Sequence, residues 1–189
     1  MILEPYVIPP LTWYIKGIQV GNFKVGNSVN KESLKKTKGY AINAPNKSQI
    51  LQFPTFEYNQ EINDLTINYS VKWISEHKNA LQAAYGNSPF FEFYNYKIYT
   101  HFDNKYNTMS ELRFHLLTQL HKILNLEKFE LKFINEVSEE QTSDFTLKIP
   151  EYPQVFEDKF GFRPEVSILD LIFNLGPMSK DYLFKFSSI

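Results

Sequence analysis

Residues 108–124 read TMSELRFHLLTQLHKIL, and the spacing of their apolar side chains sets the terms for the rest of the chain. Leu112, Leu116, Leu117, Leu120 and Leu124 recur three and four apart, the period that lines one face of an α-helix. Thr108 and Glu111 stand three apart just ahead of them, the reciprocal pair that satisfies free N–H groups at a helix start. Upstream, Ile74, His77, Leu81, Ala84 and Tyr85 form another helical stripe, over Val71 to Tyr85. Ser70 is its expected cap and Gly86-Asn87 its stop. Ser88 and Pro89 then open an aromatic helix from Phe90 to about Tyr99.

Outside this helical block the period shortens to that of strands. Met1 to Val7 starts one, which Pro9 and Pro10 break because neither can donate to a ladder. Leu11 to Ile18 reads as a short helix, followed by a second strand near Phe23. Tyr40–Asn43 and Ile50–Phe53 flank Ala44-Pro45-Asn46-Lys47 as a hairpin. Asp64–Tyr69, Phe129–Ile134 and Phe145–Ile149 alternate as further strands. Ser167 and Asp170 read as a capping pair ahead of an apolar helix that ends at Gly176-Pro177. The expected fold is α/β, a mixed β-sheet flanked by the helices of 71–124, with residues 1–189 as a single compact domain; α+β is the alternative. The Pro9-Pro10 loop would then lie at a sheet edge, where ligands bind in such folds.

Composition narrows the function. A chain of 189 residues favours one domain. With no cysteine it has neither disulfides nor thiolate metal sites. The 20 basic and 21 acidic residues nearly cancel, against the basic surplus that drives nucleic-acid binding. Met1 to Pro10 lacks the features of a signal peptide, and no apolar run approaches the roughly 20 residues of a membrane span. The expectation is a soluble, cytoplasmic protein without a membrane span or a nucleic-acid partner.

Dinucleotide, P-loop and nucleophile-elbow signatures are missing, and no two of His77, His101, His115 and His121 have the spacing of a helical ligand pair. No metal site is expected, and the sequence names neither a cofactor nor an oligomeric state. Three features carry chemistry. His77, on the inward stripe of its helix, is either a general base or a core histidine bonded to a backbone carbonyl. Asp170 is a base, an orienter of His77, or a carboxylate serving a helix end. Tyr85, Gln154 and Asn174 offer neutral hydrogen-bonding groups of the kind sugars need. The lysines at 31, 35, 36 and 38 are a solvated loop or a phosphate-binding one, and the 17 Phe, 12 Tyr and 2 Trp fill the core or stack on sugars.

Three blocks carry a resemblance: Glu4-Pro5-Tyr6 with Val7-Ile8-Pro9-Pro10-Leu11-Thr12-Trp13-Tyr14, then Trp73–Tyr85 with Ser88–Tyr94, then Tyr152–Phe156 with Phe160–Pro164 and Ser167–Pro177. In this order they resemble the bacterial WbqC-like family. The resemblance implies a place in surface polysaccharide (O-antigen) biosynthesis, with transfer of glycine or another aminoacyl group to a sugar intermediate. It implies a small-molecule or lipid-linked sugar substrate. His77 would then be the general base and Asp170 its orienter, with Pro9, Tyr85, Gln154 and Asn174 at the acceptor and Lys36 or Lys38 on a phosphate. A non-catalytic glycan- or protein-binding module is the alternative. The chain departs from the family at Val7, where a tyrosine is usual. It also has Thr37-Lys38-Gly39 in place of an Arg-Asn-Arg triplet, and lysine lacks the guanidinium fork.

Overall fold

The structure, a computed structural model, describes residues 1–28, 34, 36–56, 65–137 and 149–187. Helix α1 spans Leu11–Val20 and ends where Gly21 turns left-handed at φ 77°. Strand β1 (Phe23–Ser28) follows, then β2 (Gly39–Asn43) and β3 (Ser48–Gln52), then three helices: α2 (Trp73–Tyr85), α3 (Phe91–Asp103) and α4 (Met109–Ile123). After β4 (Leu131–Val137) come the single turn α5 (Glu157–Phe160), the apolar α6 (Ile168–Leu175), a 3-10 turn and α7 (Ser179–Ser187).

The α/β reading holds, with both parallel and antiparallel pairing. β1 pairs in parallel with β4, Phe23 opposite Leu131, while β2 and β3 form the expected antiparallel hairpin with Gly39 opposite Gln52. Each sheet among the described residues has two strands. The expected first strand reduces to one bridge, Leu3 to Val25, because Pro5 has no N–H to continue a ladder. The alternation around Leu65–Tyr69 likewise yields only bridges, Thr55 to Ile67 and Thr66 to Thr108. Asp64, Lys31, Lys35 and the expected strand at 145–149, apart from Ile149, lie outside the described residues.

The helical stripes are buried as their spacing requires. Trp73, His77, Leu81, Ala84 and Tyr85 face inward from α2, and Met109, Leu112, Leu116, Leu117, Leu120 and Ile123 from α4. They join one hydrophobic cluster with Val7, Ile8, Tyr14, Phe23, Ile42, Phe53 and nearly all of α6. Of the expected caps, only the Thr108–Glu111 box forms. Ser70 instead hydrogen-bonds Asn68 Oδ1, and Lys72 stands at the start of α2. Phe90, two residues beyond Ser88, occupies the cap position of α3. Ser167 does stand at the N-cap of α6, but its side chain caps nothing and its Oγ is buried without a partner.

The two cap positions should therefore respond differently to the same substitution. Thr108→Ala removes a made bond and is expected to cost about 1 kcal/mol. Ser167→Ala removes an unmet hydroxyl and is expected to leave stability unchanged or slightly raised. Urea unfolding of both variants checks this, and equal losses would mean that Ser167 caps the helix in solution.

Candidate functional site around Asp170

α6 begins against the N-terminal loop. Ser167 N–H donates to the Ala41 carbonyl of β2 at 2.8 Å, and Ile168 N–H to the Pro9 carbonyl at 2.9 Å. Asp170, in the first turn, is fully buried. Burial disfavours its charged form and raises its pKa to about 6; hydrogen-bonding groups of Tyr152, Gln154, Tyr85 and Asn174 oppose the rise. The Tyr152 hydroxyl donates to Oδ2 at 2.7 Å and the Gln154 amide to the same oxygen at 2.8 Å. Oδ1 is buried and has no partner in hydrogen-bond geometry.

The donors are themselves held. Gln154 Nε2 also reaches the Arg163 carbonyl at 2.9 Å, and Arg163 N–H donates back to Oε1 at 2.8 Å, closing the loop between them. Arg163 Nη1 donates to Asn43 Oδ1 at 2.8 Å and to the Ala44 carbonyl at 3.2 Å. Asn43 N–H donates to the Tyr85 hydroxyl at 2.9 Å. That hydroxyl's pKa stands well above its ordinary value, through burial first and the nearby Asp170 second. Asn174 turns back to donate to the Asp170 carbonyl at 2.8 Å.

Five of the sequence candidates thus gather around the start of α6: Pro9, Tyr85, Gln154, Asp170 and Asn174. His77 stands elsewhere, eight residues before Tyr85 on α2, a rise of roughly 12 Å. It lies among Tyr40, Phe53, Trp73 and Phe102. Its Nε2 meets the Gln52 carbonyl at 3.2 Å and its Nδ1 the Tyr40 hydroxyl at 3.2 Å. The carbonyl can only accept, so Nε2 carries the proton. Burial depresses its pKa to about 4, so the ring is neutral at pH 7. Lys36 sits 3.6 Å from a Glu4 oxygen and over the Tyr6 ring, while Lys38 donates to Thr55 Oγ1 at 3.3 Å.

Asn43, Tyr152 and Arg163 enter the cluster without having been singled out as candidates. Arg163 did carry a signal, being one of only two arginines among 20 basic residues. Asn43 and Tyr152 had none, since their partners lie far away in sequence. Among the described residues no group of three or more His, Asp or Glu side chains could hold a metal ion, and no helix is long and apolar enough to cross a membrane.

Asp170 and the buried histidines act on stability in opposite senses. The raised carboxyl favours the fold fully below the ordinary carboxylate range, and this fades as pH climbs through about 6. His77 and His121, both depressed to about 4 by burial, favour the fold above the ordinary imidazole range, and this fades as pH falls toward about 4. Asp170→Asn removes the first effect and keeps an oxygen for Tyr152 and Gln154. Its Tm should exceed that of the wild type at pH 7.5, with the gap closing by pH 4 in calorimetric scans. A lower Tm at both pH values would show that the charge itself supports the fold.

The sequence profile of the WbqC-like protein family covers residues 4–149, most of the chain. No curated protein and no solved structure matches. The matched span includes the blocks around Pro9-Pro10 and Trp73–Tyr94 and stops short of Tyr152, so most of the Asp170 cluster lies beyond it. With the match extending over well more than half of its length, the chain belongs to the WbqC-like protein family.

Proposed function

We propose that this protein is a cytoplasmic transferase of bacterial surface polysaccharide (O-antigen) biosynthesis, moving glycine or another aminoacyl group onto a small-molecule or lipid-linked sugar. The family supplies the setting. The observation that carries the reading is the buried Asp170 carboxyl, with one oxygen held by two donors and the other unpartnered. A carboxyl with a pKa of about 6 is close enough to neutral pH to take up and return a proton. In the step, the acceptor hydroxyl or amine bonds to the acyl carbon as its proton passes to Oδ1. The bond from the acyl carbon to the leaving atom breaks, and that atom takes the proton. Tyr152 and Gln154 fix Oδ2 and so aim Oδ1, while Tyr85 and Asn174 border the acceptor.

His77, neutral with both nitrogens engaged, holds the aromatic core in register and moves no proton in this reading. Lys36 and Lys38 are engaged elsewhere and take no part in the step. A second reading, a non-catalytic glycan-binding module, draws on Phe93 and Tyr96, exposed three residues apart on α3 as a stacking surface.

The test is transfer by the purified protein from aminoacyl donors to nucleotide sugars. Asp170→Asn should lose about 10²- to 10⁴-fold in rate while remaining folded. His77→Gln should lower the Tm yet leave the rate per folded molecule within a few-fold. Full activity of Asp170→Asn would end the catalytic assignment, and saturable glycan binding by an inactive wild type would favour the binding module.

A further inference from the structure

We infer that Arg163 is a phosphate receptor, holding the phosphate of a substrate beside the Asp170 cluster. The chain relies on lysine for positive charge, with only Arg113 and Arg163 as exceptions. An arginine in such a chain points to a position that needs the planar fork. The guanidinium is anchored along one side, Nη1 donating to Asn43 Oδ1 at 2.8 Å and to the Ala44 carbonyl at 3.2 Å. Its centre lies 4.6 Å from the middle of the Phe160 ring, and Gln154 clamps its backbone at both N–H and C=O.

None of these contacts neutralises the charge. Ion pairs form at Lys36–Glu4 and Lys78–Asp103, and among the described residues Arg163 has no carboxylate partner. Nε and Nη2 likewise have no hydrogen-bond partner among the described residues, and the residue is half-buried. A cation fixed on one edge by neutral acceptors and open on the other is built to take an oxyanion through two parallel N–H···O bonds. The choice of phosphate rests on the transferase reading, because an aminoacyl group in transit has no free carboxylate to offer. Oxyanion binding itself does not depend on Asp170.

The experiment follows the Nε–H signals of the two arginines by ¹⁵N NMR in the wild-type protein, assigned with Arg163→Lys. Inorganic phosphate is added at constant ionic strength against chloride, with acetate in parallel. The Arg163 signal should shift saturably with phosphate and less with acetate, while Arg113 stays put. Arg163→Lys should weaken phosphate binding, measured by calorimetry, by at least about tenfold. Uridine diphosphate and adenosine monophosphate then distinguish a nucleotide-sugar phosphate from a donor phosphate by which saturates at lower concentration. An Arg163 signal that does not move, or moves linearly together with Arg113, overturns the receptor; a stronger response to acetate overturns the phosphate assignment. Repeating the titration in Asp170→Asn separates the claims. Phosphate binding without any transfer by the wild type refutes the Asp170 step alone, and transfer without a phosphate response refutes the receptor alone.

Discussion

A helix buried on every side must find partners inside the protein for its terminal N–H and C=O groups. All eight residues of α6 are buried, and distant stretches of chain meet this demand. Ala41 and Pro9 accept from Ser167 and Ile168 at the start, and near the end Phe90 N–H donates to the Phe173 carbonyl and Ser179 Oγ to that of Leu171. The N-terminal loop, β2, the start of α3 and the start of α7 are thereby tied to one short segment. Gly176 completes the arrangement. It turns the chain at φ 52°, and a Cβ there would come within 2.5 Å of the Phe90 ring.

The same enclosure treats its two principal ionisable groups differently. His77 keeps a single ring proton and is served at both nitrogens, so its burial costs little once the ring is neutral. Asp170 receives its two direct donors at one oxygen, and near neutral pH its anionic form remains within reach. A neutral ring with both nitrogens occupied suits packing. A carboxyl with a raised pKa and a free oxygen suits proton transfer.

What the sequence made legible was local. The α4 cap, the hairpin at Ala44–Lys47 and the stripes of α2 and α4 depend on residues within a few positions of one another, and periodicity records such neighbours. The β1–β4 pair joins Phe23 to Leu131 across the chain, which no short-range pattern encodes. Ser70 and Ser88 mislead because a cap depends on where the chain enters the helix, and Asn68 takes Ser70 first. The site divides along the same line. Asp170 and Asn174 share a helix and could be found together, whereas Tyr152, Gln154 and Arg163 come from an irregular stretch and are placed by hydrogen bonds and ring contacts that no sequence period records. Lysines are dense in the sequence at 31–38, although a single anchored arginine is chemically more specific than several flexible ammonium groups.

Ser167 Oγ and Asp170 Oδ1 lie within one turn at the start of α6. Each is a buried polar atom without a partner, and each such atom costs about 1–3 kcal/mol. Folding alone offers simple remedies. Alanine at 167 would remove one orphan, and asparagine at 170 could still accept from Tyr152 and Gln154 without burying a charge. An N-cap serine can also rotate to accept from the helix N–H groups, yet here Asp170 N–H bonds the Ser167 carbonyl instead. Two unmet oxygens within one helical turn, in a segment whose backbone ends are otherwise well satisfied, are a local inconsistency that folding alone does not account for. The turn that serves folding least is the one on which the proposed step depends.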